Sequence, residues 1–186
     1  MLAWLSRRSD RRRNARELYG SIVTQARLPI FHADWGVPDT VEGRFEMLVV
    51  HVSVVFDRLS QEGREGGTLA RALSEAFIAD MDANMREMTF GDLAVPREIK
   101  RAAAALYDRH EAYRGALAAR QPAPLQRALE AQLAYLLPAG GLDAGPIAHY
   151  MLRAADGIAA LAASALLAGR LAWPSPTGQS RPRPGE

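Results

Sequence analysis

The sequence predicts an all-α protein, a single helical bundle-like domain of five to seven helices with a disordered C-terminal tail. Three observations predict it. Thirty-four of the 186 residues are alanine, the strongest helix former, and aromatic residues make up only 7%. Apolar residues recur at spacings of three and four along most of the chain, which is the helical period. The 48% hydrophobic and 24% charged content is that of a globular chain, which excludes wholesale disorder.

The first helix is expected over residues 17–26, where Leu18, Ile22 and Ala26 stand four apart. Pro29, Gly36 and Pro38 break the pattern over residues 28–38. Ile30, Phe31, Trp35 and Val37 mark that stretch as a loop packed onto the body. Asp39-Thr-Val-Glu42 follows, with Asp39 placed to cap a helix and Glu42 to reach back. The helix itself is written in Val41, Phe45, Leu48, Val49, Val52, Phe56 and Leu59. Its valines alone would suit a strand, but the cap, length and period outvote them. Gly43 costs this helix about 1 kcal/mol relative to alanine, which signals a close backbone contact.

Gly63-Arg-Glu-Gly-Gly67 reads as a turn, with Thr68 capping the next helix. That helix carries the stripe Leu69, Leu73, Phe77, Met81, Met85 and Met88. Pro96 suits the first turn of another, on which Ile99, Ala103, Leu106, His110, Tyr113 and Leu117 keep bundle spacing. Leu125, Leu129, Leu133 and Leu136 give a shorter helix, and Asp143 opens the last, residues 146–172. Residues 174–186 hold four prolines and two glycines with no apolar period. The organisation expected is therefore a basic arm over 1–13, a helical domain over 14–173 and a tail over 174–186.

Charge is uneven. The formal total is +2, yet residues 1–16 hold six arginines and one aspartate, so the remainder is mildly acidic. Trp4 beside Arg7, Arg8, Arg11, Arg12 and Arg13 has the makings of an interfacial anchor on an anionic surface. The same arm would suit a ribosome- or RNA-associated protein. The order of apolar and basic residues reads as no export signal, and no run reaches the length of a membrane span.

The chemistry-bearing residues are sparse. Cysteine is absent, which removes thiolate catalysis, disulfides and cysteine-ligated metal. His32, His51, His110 and His149 share no helical ligand spacing, so no metal site and no catalytic set is expected. His110 is read as a hydrogen-bonded core histidine. The most unusual segment is Asp80-Met-Asp-Ala-Asn-Met-Arg-Glu-Met88. Asp80 and Asn84 share a helix face, Met81, Met85 and Met88 a neighbouring one, and Asp82 and Arg86 form an i, i+4 pair. Methionine adapts to varied surfaces, so the segment is a candidate for gripping a partner helix.

Taken in order, these segments resemble the ubiquinol–cytochrome c chaperone family, assembly factors for the respiratory complex that oxidises ubiquinol and reduces cytochrome c. The resemblance begins at Ala15-Arg-Glu-Leu-Tyr-Gly20 and continues through Gly36-Val-Pro-Asp-Thr-Val-Glu-Gly-Arg-Phe-Glu46. Its core is residues 80–88 followed by Gly91-Asp-Leu93, and it covers roughly residues 14–117, with the chain after Pro122 departing from it. It implies a non-enzymatic helper without cofactor that binds newly made cytochrome b. It also implies a place at the cytoplasmic face of the inner membrane, which corresponds to the matrix side for mitochondrial relatives. Those relatives work with a small partner protein near the ribosome, and no DNA partner is implied. On this reading Asp80, Asp82, Asn84, Arg86, Glu87 and Asp92 face the partner, and Trp35 and Val37 on the loop form a second contact.

Overall fold

The computed structural model describes residues 2–87, 94–137 and 141–178, with side chains from residue 9 onward. Among these residues the chain is all-α, as the alanine content and apolar period require. Six helices have 12 residues or more: α1 (Leu2–Ala26), α3 (Val41–Ser60), α4 (Gly63–Glu87), α5 (Val95–Ala118), α6 (Pro122–Leu133) and α7 (Gly145–Ala159). Two short helices, α2 (Ile30–Ala33) and α8 (Ala163–Leu167), and a 3-10 turn at Ala134–Leu136 complete the set.

The valine-rich α3 is the axis of the bundle. Residues 46–57 of it are all buried, so it is covered on every side, by α1, α4, α5 and α7. A helix apolar nearly all round belongs at the centre of a domain, and the run from Met47 to Phe56, broken only by His51 and Ser53, is one. The amphipathic helices around it contribute one stripe each. Leu18 and Ile22 come from α1, Leu73 and Phe77 from α4, Leu106, Tyr113 and Leu117 from α5, and Ile147, Tyr150 and Met151 from α7. In turn, α6 closes against α5 and α7 through Leu125, Leu129 and Leu133.

Local chemistry moved several expected boundaries. The first helix begins at Leu2 rather than at residue 17, so the basic arm runs on as the start of α1. The cap of α3 is Thr40, whose hydroxyl accepts from Gly43 N at 3.1 Å. Asp39, one residue earlier, turns outward and pairs with Arg44 at 2.6 Å. The close contact expected at Gly43 is real: a Cβ there would stand 2.0 Å from the Pro38 carbonyl oxygen.

Gly63-Arg-Glu-Gly-Gly67 is the first turn of α4 rather than a loop, and Thr68 donates to Arg64 O inside the helix instead of capping it. Gly66 makes that early start possible, because a Cβ there would lie 2.1 Å from Leu59 O at the end of α3. The last helix is also shorter than expected. It stops at Ala159, and Ala162 turns extended so that Leu166 of α8 can be buried. Gly169, at φ 84°, then brings the chain against Asn14 of α1.

Beyond this reversal the chain lies back over the bundle. Asn14 donates to Leu167 O, Trp173 Nε1 to Ser21 Oγ at 3.0 Å, and Arg153 to Pro176 O at 2.7 Å. The tail expected over 174–186 is thus held to the body as far as Pro176, and residues 179–186 lie outside the described residues.

Candidate functional site

The stripe on α4 explains where the site lies. Leu69, Leu73 and Phe77 are buried, but one turn further on Met81 and Met85 are only half covered. They outrun the helices packed on them and leave a groove of about 320 Å³. Val23 and Ala26 of α1, Val41, Phe45 and Leu48 of α3, and the two methionines form its apolar walls. Arg27, Glu42, Arg44, Asp80 and Asn84 form a polar rim, and Tyr135 closes one side from the 3-10 turn. Val41 and Tyr135, 59% and 55% exposed, are two of the three large apolar side chains that the described body leaves open to water. A second, polar hollow lined by Arg27, Pro29, His32, Ala33, Asp39 and Arg44 adjoins it and shares its two arginines.

The rim is fixed from beneath. The Tyr19 hydroxyl on α1 donates to Asp80 Oδ2 at 2.8 Å, and Asn84 Nδ2 donates to Asp80 O at 2.8 Å. Burial, and then the neighbouring Asp80 carboxylate, push the Tyr19 phenol above its ordinary range. On the other side Tyr135 donates to Glu46 Oε1 at 2.7 Å. Glu46 is fully buried on α3 and receives Arg109 of α5 at both oxygens, 2.8 and 2.7 Å from Nε. Burial and the Glu46 carboxylate also raise the Tyr135 phenol. The groove wall is therefore tied to the buried Glu46 carboxylate by a charge-assisted hydrogen bond.

Not every residue expected at a partner surface lies here. Asp80 and Asn84 line the groove. Asp82 and Arg86 pair with each other at 2.9 Å outside it, and that hydrogen bond holds the Asp82 carboxyl below its usual range. Glu87 is exposed at the end of α4, and Asp92 lies outside the described residues. Trp35 and Val37 belong to the core side of their loop. Val37 is 1% exposed, and Trp35 packs on Phe31 and Tyr150 with ring centres 5.2 and 5.8 Å away. The bundle already covers the Val37 side chain. Arg11, Arg12 and Arg13 are exposed on α1, whereas the side chains of Trp4, Arg7 and Arg8 lie outside the described ones.

Sequence reasoning missed Phe45, Leu48 and Tyr135 as groove residues. Phe45 and Leu48 read as core positions of α3, and nothing local says that the cover stops before them. Tyr135 carried a signal, since it falls off the leucine stripe of α6. His110 also departs from expectation. It packs edge-on against Phe56 at 5.4 Å, and its Nδ1 is buried without a hydrogen-bond partner. His32 donates from Nδ1 to Val37 O at 3.1 Å, which makes it a brace of the loop.

The groove is built for apolar contact. Among the described residues its lining holds no histidine, serine, threonine or cysteine, and no group of three or more histidine, aspartate or glutamate side chains is placed to hold a metal. Flexible methionines over a floor of Phe45 and Leu48, ringed by charges, form an interface centre with a polar rim.

Comparison with known proteins gives the same frame. No curated protein matches the chain. The crystal structure of the Cbp3 homolog from Brucella abortus matches with a TM-score of 0.81 at 31% identity, over 95% of this chain and 98% of that one. The family described as ubiquinol-cytochrome C chaperone matches residues 33–173. That span takes in the region after Pro122, which the motif resemblance had left out, and begins after the motif at residues 15–20. With three-quarters of its length inside that match, the chain belongs to the ubiquinol–cytochrome c chaperone family.

Proposed function

We propose that the protein is a non-enzymatic assembly chaperone that holds an apolar helical segment of newly made cytochrome b in the Met81–Met85 groove and so promotes assembly of ubiquinol–cytochrome c reductase. The observation that carries this reading is the half-covered methionine pair over an apolar floor, in a chain of this family. A membrane-subunit helix is apolar on its surface and needs cover before it is built in, which such a groove supplies. A polar rim with both signs of charge would set the register of the bound segment without deep desolvation. No helix among the described residues is long and apolar enough to cross a membrane. We place the chaperone as a peripheral protein at the cytoplasmic face, beside its client, with room for a small partner protein or the ribosome.

The test is a photo-crosslinking residue at Met85 in cells that make the respiratory complex. Cytochrome b should be the captured protein, and Met81→Lys should abolish capture and lower the assembled complex. Normal complex levels in cells lacking the gene would refute the reading.

A further inference from the structure

The apolar groove opens onto the polar hollow beside it, which has a volume of about 500 Å³, and the two share only Arg27 and Arg44. Arg27 follows the last residue of α1. Its N–H donates to Val23 O at 3.2 Å and its neighbour Ala26 is buried, so the body fixes its backbone while its side chain is exposed.

The two arginines stand in different electrostatic states. Arg44 is taken up by Asp39, with Nε 2.6 Å from Oδ1 and Nη2 3.2 Å from Oδ2. That pairing holds the Asp39 carboxyl below its usual range. His32 is taken up by Val37 O at 3.1 Å. Arg27 differs. Among the described residues its guanidinium makes no hydrogen bond and no ion pair, although its field reaches the Tyr19 phenol and opposes the rise there. The hollow is lined by two arginines and one aspartate, so the Asp39–Arg44 pair leaves Arg27 as its unpaired charge. The acids on the rim of the groove are Asp80, which accepts from Tyr19, and Glu42, and neither lines the hollow.

We infer that the polar hollow is a subsite for a carboxylate, carried by a helical segment whose apolar face lies on Met81 and Met85, and that Arg27 receives it. The inference rests on the groove reading above and adds a charge requirement to it: the bound segment carries an aspartate or glutamate beside its apolar face. Apolar cover alone fixes neither the direction nor the register of a helix. A guanidinium presents a fork of N–H donors that matches a carboxylate, and it does so here where the apolar floor gives way to polar walls. A bound segment takes water from Arg27, so one that pairs with it gains over one that leaves it unpaired. The choice of a peptide over a lipid phosphate rests on Asp80 and Glu42, which repel a phosphate at the same rim, whereas a peptide can set neutral or basic side chains against them.

The test is binding of labelled leucine–alanine helical peptides, blocked at both ends, to the full chain. In one set a single glutamate steps along the polar face, and matched sets carry glutamine or lysine at the same positions. At one or more positions glutamate should bind about fivefold tighter than glutamine, the upper worth of an exposed ion pair, and lysine weaker than both. Arg27→Met should abolish the preference for glutamate over glutamine, and Arg27→Glu should turn it toward lysine. Arg71→Glu, which changes an exposed charge of α4 outside both hollows, should leave the order of the parent. Equal binding of the three sets, a glutamate preference that survives Arg27→Met, or no binding of any peptide would overturn the subsite. A lysine preference in the parent would overturn it in favour of Glu42 and Asp80. Binding of dodecyl phosphate in place of every peptide would overturn it in favour of a lipid. The chaperone reading fails separately, through normal assembly of the complex in cells lacking the gene, and that result leaves the peptide order untouched.

Discussion

The Tyr19 hydroxyl stands 2.8 Å from Asp80 Oδ2 and locks the first helix to the fourth at the rim of the groove. The residue singled out as partner-facing is therefore also a structural acceptor. Tyr19→Phe should cost about 1.5–3 kcal/mol in urea denaturation, the worth of a hydrogen bond to a charged group. If Asp80 also touches the client, Asp80→Asn should reduce client capture by more than Tyr19→Phe does at matched stability. Equal effects would confine Asp80 to the tie.

Glu46 and Arg109 form the buried ion pair of the core, with Arg109 bonded to both carboxylate oxygens. Removing one partner strands the other, so Arg109→Met alone should cost about 3–5 kcal/mol. The double variant E46L/R109M should be the more stable of the two, read by the midpoint of chemical denaturation. A double variant at least as unstable as the single would show that Tyr135 and the groove wall depend on the carboxylate itself.

His51 gives the protein an acid-side weakness. It is fully buried, donates from Nδ1 to Met47 O at 2.6 Å and accepts from Tyr150 at Nε2 at 2.9 Å. Gln25 in turn donates to the Tyr150 hydroxyl at 2.9 Å, and Phe31 and Trp173 flank the ring. Burial lowers the imidazole from 6.5 to about 4, so the native state favours the neutral form. The unfolded chain binds a proton first as pH falls. Stability should then be complete above pH about 6.5 and decline between 6.5 and 4, by as much as roughly 3 kcal/mol at the bottom. His51→Gln should be less stable at neutral pH yet show a shallower decline over that window. An unchanged slope would assign the decline elsewhere, His110 being the other histidine that burial lowers.

Arg120 ends α5 with φ 53°, in the left-handed region that favours glycine. It holds the position because its guanidinium pairs with Asp156 at 2.7 Å and stands 3.8 Å from the buried Asp57. Burial raises the Asp57 carboxyl and Arg120 opposes that shift. Arg120→Ala loses the pairs and keeps the backbone penalty, while Arg120→Gly loses the pairs alone. The glycine variant should be the more stable by about 1 kcal/mol in thermal melts. The reverse order would mean that the turn carries no strain.

The apolar period made most of the fold legible. The α3 stripe, the proline at the start of α5 and the leucines of α6 are local signals, and Gly43 declared its close contact through its cost alone. Misreadings arose where tertiary contact overrode a local signal. Gly66 serves a crossing of two helices, which looks like turn chemistry in one dimension. The break after Ala159 serves burial of Leu166 against distant elements, and an alanine-rich run gives no hint of it. In the groove, the methionines and Asp80 were visible because they share a segment. Tyr135 and Glu46 were not, because 89 residues separate them and only the closed bundle brings them together.

The chain that returns through Trp173 and Pro176 has a consequence for how the protein is made. Its contacts brace α1, yet they come from the far end of the sequence. A ribosome adds about 5–20 residues per second. The first helix therefore waits on the order of 10 seconds after its own synthesis before its last brace exists. The fold cannot close around α1 until residues 173–176 have been made, so the first helix to leave the ribosome is among the last to be fully held.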